Sequence, residues 1–149
     1  MNFPDHLVSW INKTTKIIQC FVNQTLKDRG IPLTSQQLVL LKVLSMNDGV
    51  PQNQLAFLTA RDKTTLTRLI DTMEKKKYIA RVPDENDKRI NLLYITKSGL
   101  SLLKNTEPEQ GEILEIMQDG ISEEEMNTTI KVLQKIQDNI GNYNNCPCN

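Results

Sequence analysis

Apolar residues recur at helical spacing near the start of the chain. Leu7, Ile11, Ile18, Val22 and Leu26 share one face and predict an amphipathic helix over about residues 5–29. Gly30 and Pro32 follow as stop signals. Thr34-Ser-Gln-Gln37 reads as a capping box, in which the Thr hydroxyl caps a second helix and Gln37 reaches back. Leu38, Leu41 and Leu44 or Ser45 carry that helix to about residue 47, where Asp48-Gly49 marks a turn. Pro51 suits the first turn of a third, short helix over about 52–59. Asp62 can N-cap a fourth, predicted to run to about residue 77. Its apolar face is Leu66, Leu69, Ile70 and Met73, and Thr64, Arg68, Asp71, Thr72 and Lys75 lie opposite.

After Tyr78 the period changes from helical to extended. The β-rich runs 79–82 and 90–95 flank a polar stretch, 83–88, which predicts a two-stranded hairpin with a charged tip. Thr96 can cap a fifth helix, which Pro108 should kink or interrupt and Gly120 should end. Ser122 and Glu125 form a second capping box. A last helix follows, bearing Ile130, Leu133, Ile136 and Ile140. The polar tail 142–149 is expected to be disordered. The pattern predicts one mainly α domain with a small β-hairpin, and no internal repeat.

The chain has 149 residues, enough for a single domain with its own core. No apolar run approaches the ~20 residues of a membrane span, so no membrane partner is expected. The first ten residues lack the pattern of a secretory signal, so the expected location is cytoplasmic. Cys20, Cys146 and Cys148 do not read as a disulfide framework, and no His/Cys group elsewhere completes a metal site with the Cys-Pro-Cys tail. Cys20 sits in the apolar stretch IIQCFVN and is expected to be a buried structural thiol.

A net charge of zero speaks against an anionic partner until its distribution is read. From Arg61 to Lys97 ten Lys/Arg stand against six Asp/Glu, a net of +4. From Ser101 onward three Lys stand against nine acids, a net of −6. An anionic partner should therefore meet the middle of the chain. The single His, His6, has no spaced partner, and no nucleophile elbow, phosphate loop or metal motif occurs, so no enzyme, metal or cofactor is expected.

Two short helices joined by a tight turn and followed by a hairpin form the order of a winged helix-turn-helix. An α-helix fits the ~12 Å major groove of double-stranded DNA, and a narrow hairpin reaches the groove beside it. Ala56, beside Leu55, is small enough for close packing of the first of these helices on the second, and Leu66 and Leu69 anchor the second. Lys63, Thr64, Thr65, Thr67 and Arg68 then lie near its exposed N-terminal end, with Lys75 further along the same face. On the wing, Asp87, Lys88 and Arg89 are the candidates. The Asp87 carboxylate is expected to hold the Arg89 guanidinium in a fork while its outer edge enters a groove. A helical protein–protein adaptor without DNA binding is the alternative, but it needs neither the basic middle nor this pair.

Residues 55–99 resemble the MarR family of bacterial regulators in the recognition-helix motif DKTTLTRLID (62–71), the Glu74-Lys75-Lys76 that ends it, and the Asp-rich wing closing on Arg89. Weaker similarity covers the rest, including Leu33–Gln37 and Gly120–Glu125. The resemblance implies a homodimer whose terminal helices, about 5–29 and 122–141, intertwine, with a winged helix-turn-helix over about 34–96. It implies a transcription regulator, a repressor released by a small ligand, whose two recognition helices occupy successive major grooves of a near-palindromic operator. It further implies that a small aromatic ligand is sensed in a crevice between the dimer helices and the DNA-binding lobe. Trp10 and Phe21 can belong to the dimer interface or to the core. Several positions depart from the family pattern: Thr59, Ala60 (for a turn Gly), Arg61, Lys77 (for a Gly that commonly ends the recognition helix) and Asn86 (for a frequent Arg).

Overall fold

A computed structural model describes residues 6–47, 49–59 and 63–141, with nothing stated of the Phe57 side chain. Among these described residues seven helices and three short strands run in the order α1 (Leu7–Asp28), α2 (Ser35–Met46), β1 (Val50–Pro51), α3 (Gln52–Leu58), α4 (Lys63–Lys75), β2 (Ile79–Pro83), β3 (Asn91–Ile95), α5 (Lys97–Asn105), α6 (Glu107–Gln118) and α7 (Glu123–Gly141). The expectations at Asp5, Asp48, Ala60, Arg61 and Asp62, and for the tail with Cys146 and Cys148, lie outside the described residues.

Local chemistry sets the helix boundaries. The Thr34 hydroxyl accepts from the Gln37 N–H at 3.3 Å, and the Gln37 side chain accepts from the Thr34 N–H at 3.1 Å, closing the capping box of α2. Thr96 caps α5 by accepting from the Gly99 N–H at 3.0 Å. Pro108 falls in the first turn of α6, and the helix predicted to follow Thr96 is broken at Thr106. A proline tolerates the start of a helix and resists its interior, so one helix becomes two.

The core gathers Leu26, Leu40, Leu41, Leu55, Leu66, Ile70, Met73 and Leu93, all fully buried. Only the C-terminal half of α1 joins it, through Val22 and Leu26, while Leu7 and Trp10 are exposed and Phe21 packs partly buried against the cluster. α7 has no buried residue: Ile130, Leu133 and Ile140 are exposed. Burying one leucine-sized side chain stabilises by ~1.5–3 kcal/mol, so an uncovered row of them marks a surface that lacks its partner in a single chain.

The expected two-stranded hairpin is present as β2 and β3, and a third strand extends it. The sheet has three antiparallel strands in the order β1-β3-β2, with Val50 opposite Leu93 and Pro51 opposite Leu92. Pro51 therefore ends an edge strand and lies outside α3. An edge position tolerates proline because no ladder hydrogen bond needs its missing N–H. Ile90, expected inside the second hairpin strand, lies in the turn before β3. Gly99 lets α5 approach the sheet, since a Cβ there would lie 2.1 Å from the Tyr78 carbonyl oxygen.

Candidate nucleic-acid interface

α4 is anchored by Leu66, Ile70 and Met73, which are buried, and by Leu69, which is partly so. The helical period turns Lys63, Thr64, Thr65, Arg68, Thr72 and Lys75 outward, and all are exposed. Thr67 differs. It is half-buried, and its hydroxyl donates to the Lys63 carbonyl at 2.8 Å and accepts from Gln52 Nε2 at 3.0 Å. Its side chain ties the start of α3 to the start of α4, so its hydroxyl is largely committed within the protein. Thr72 likewise donates to the Arg68 carbonyl at 2.9 Å.

The wing tip is built by carboxylates that accept backbone N–H groups. Asp84 Oδ1 accepts from Asn86 N at 2.8 Å and from Asp87 N at 3.0 Å, and these bonds hold its carboxyl below the usual carboxylate range. The tip closes with Ile90 N donating to the Asp87 carbonyl and Asp84 N donating to the Ile90 carbonyl, both at 2.9 Å. The expected Asp87–Arg89 fork is not present. Asp87 Oδ1 accepts from the backbone N–H of Arg89 at 3.0 Å, and the guanidinium Nε lies 3.8 Å away, beyond hydrogen-bond reach. Both residues sit in the turn, off the strand, so strand alternation does not align their side chains. Arg89 is 95% exposed and Lys88 is exposed beside it.

One residue that the sequence reading counted only as a charge is central to the geometry. Arg81 on β2 places Nη1 2.8 Å from Glu74 Oε2 and Nη2 on Asp71 Oδ1, joining the wing to α4. The signal was strand alternation: Arg81 is two residues from buried Ile79 and pairs with buried Leu93, so it faces inward.

Cys20 is exposed, which overturns its expected burial. Val22 and Ile18 of the inward face are each two positions away, about 200° around the helix, so an apolar sequence neighbourhood does not bury it. The cavity chemistry was also not foreseen by residue. A cavity of about 380 Å³ lies between α1, α2 and α6, walled mainly by Ile18, Val22, Leu38, Ile113 and Met117. Ser35 Oγ, on a residue 9% exposed, has no hydrogen-bond partner among the described residues, and Lys42 Nζ lies 3.4 Å from Gln110 Oε1 at the rim. A largely apolar chamber that also carries the Ser35 hydroxyl and the Lys42 ammonium suits a small ligand with an acceptor or negative charge.

Comparisons with known families, relatives and solved structures agree. Residues 33–90 match the model of the MarR family. The chain is 30% identical over 112 residues to YybA of Bacillus subtilis, described as an uncharacterized HTH-type transcriptional regulator, covering 75% of each chain. It is 25% identical over 114 residues to the transcriptional repressor MprA of Escherichia coli, covering 76% of this chain and 65% of that one. Among solved structures, Bordetella bronchiseptica BpsR, studied for regulation of its DNA binding by 6-hydroxynicotinic acid, superposes with a TM-score of 0.83 at 22% identity. That match covers 93% of this chain and 97% of that one.

Proposed function

The chain belongs to the MarR family, and from that premise we propose that it is a homodimeric, sequence-specific repressor that binds double-stranded DNA and is released by a small ligand. The observation that carries the reading is the outward face of α4, with Lys63, Thr64, Thr65 and Arg68 exposed at its leading end and a wing bearing exposed Lys88 and Arg89 beside it. Arg68 addresses base edges or flanking phosphates of the major groove, and Lys63 and Lys75 meet phosphate. Arg89 enters the adjoining minor groove, with Lys88 on the backbone. Asp87 shapes the turn that presents them, and Thr67 positions α4 on α3.

The uncovered apolar residues of α1 and α7 pair with those of a second copy, so that two α4 helices reach successive major grooves of a near-palindrome. The cavity between α1, α2 and α6 is the effector crevice, its ligand a small aromatic anion held by Ser35 and Lys42. The protein acts as a binder of DNA and not as an enzyme. No described helix is long and apolar enough to cross a membrane, and a DNA partner places the protein in the cytoplasm.

Selection of duplexes from a random library by the purified protein tests the reading. Enrichment of one near-palindromic sequence, with release by an aromatic carboxylate such as 6-hydroxynicotinate, is expected. Failure to enrich any duplex would refute DNA recognition and favour the adaptor.

A further inference from the structure

The geometry points to Arg81 as a positioning residue that sets the wing's orientation against the recognition helix α4, an inference that rests on the DNA-binding reading above. Its two terminal nitrogens take carboxylates three residues apart on α4, Asp71 and Glu74. A planar guanidinium gripped at two points fixes rotation as well as distance, which a single contact does not.

Arg81 is also where the wing leaves the body. Ile79 and Leu93 are buried, but no residue from Val82 to Asn91 is. The tip's own hydrogen bonds run within residues 84–90 and set its shape, leaving its direction to the base of the hairpin. Two further strand residues, Val82 and Pro83, and the turn beyond them carry the tip roughly 10 Å past Arg81. A swing of ~15° about that base displaces Arg89 by ~2–3 Å, enough to take it out of hydrogen-bond range. As a plain stabiliser, a pair with side chains 24% and 46% exposed contributes little. As a latch at the foot of a lever it controls where Arg89 arrives.

Asp71 lies along the outward side of α4, and Arg81 offsets two carboxylates that would otherwise repel phosphate. The two roles predict opposite outcomes when the acids are neutralised.

The test measures affinity, at fixed salt, for a duplex enriched by the parent protein from a random library. It compares Arg81→Met, the double variant Asp71→Asn/Glu74→Gln, and each combined with Arg89→Ala or Arg68→Ala. Circular dichroism follows the fold. Positioning predicts that Arg81→Met and the double variant both weaken binding, by roughly 5- to 100-fold, the range one arginine contact carries. Arg89→Ala should cost little further in either background, while Arg68→Ala should keep its full cost. The double variant removes two negative charges, so tighter or unchanged binding by it would overturn positioning and leave only charge compensation. An Arg89→Ala loss as large in the unlatched backgrounds as in the parent would overturn it as well. The double variant alters only half-exposed side chains and decides the question if Arg81→Met fails to fold. A parent protein that enriches no duplex would remove the DNA reading and this inference with it. A parent that binds while the latch variants bind equally removes this inference alone.

Discussion

Replacing Lys77 with glycine should stabilise the protein, although nothing in its contacts would suggest it. α4 ends with the Tyr78 N–H donating to the Met73 carbonyl at 3.0 Å and the Lys77 N–H donating to the Glu74 carbonyl at 2.8 Å. That pair of bonds requires a left-handed residue at the second position, and Lys77 has φ 61°. α1 ends the same way: the Ile31 N–H donates to the Leu26 carbonyl at 2.9 Å, the Gly30 N–H to the Lys27 carbonyl at 3.0 Å, with Gly30 at φ 68°. One helix has the residue this conformation favours and the other does not. A side chain in the left-handed region costs about 1–2 kcal/mol, and glycine returns about 0.5–1 kcal/mol through the entropy of its unfolded chain. The net expected gain is about 0.5–1 kcal/mol for each protomer. Lys77 is exposed, so no buried contact is lost, and its carbonyl still accepts from Thr96 Oγ1 at 2.7 Å. Chemical unfolding at one fixed protein concentration reads the change directly, since a dimer's midpoint moves with concentration. Thermal unfolding should rise by about 1–4 °C. Equal or lower stability of Lys77→Gly would refute the account of how α4 ends.

Three further outcomes follow from the same geometry. Asp87→Ala should weaken DNA binding several-fold although it removes a negative charge, because the carboxylate holds the Arg89 N–H in the turn; tighter binding across a salt series would show that charge outweighs presentation. The depressed Asp84 carboxyl gives the wing tip order that is fully present above the usual carboxylate range and is lost as pH falls through its lowered folded value. Amide resonances of Asn86 and Asp87 should therefore hold steady from pH 8 to 5 and shift only in stronger acid, and a transition near pH 6 would contradict the assignment. Leu133→Asp, on the uncovered side of α7, should convert the dimer to monomer or unfolded chain in sedimentation at micromolar concentration; an intact dimer would place the interface elsewhere.

Helical period and capping chemistry made most elements legible. Thr34 with Gln37, Thr96, Pro108 and Gly120 each carry a local signal strong enough to set a boundary alone. β1 was not legible, because two residues, Val50 and Pro51, hold no period and become a strand only when Leu92 and Leu93 arrive from far along the chain. The outward placement of Lys63, Thr64, Thr65 and Arg68 could be read from the apolar stripe opposite them. The engagement of Thr67 with Gln52 could not, because it depends on how α3 and α4 pack. Cys20 was misjudged by reading apolar neighbours along the sequence where the helix distributes them around its axis. Arg81 was counted as charge when its alternation with Ile79 already aimed it at α4.

The claim that α4 and the wing read adjoining grooves of one duplex is tested most directly by hydroxyl-radical footprinting of the parent, Arg68→Ala and Arg89→Ala proteins on the enriched duplex. The parent should protect two blocks centred about one helical turn, ~10 base pairs, apart on one face, with minor-groove flanks outside them. Arg89→Ala should lose the flanks and keep the centre, and Arg68→Ala should weaken the centre at every salt concentration that still permits binding. Uniform loss of protection in both variants, or protection without the helical repeat, would contradict the account.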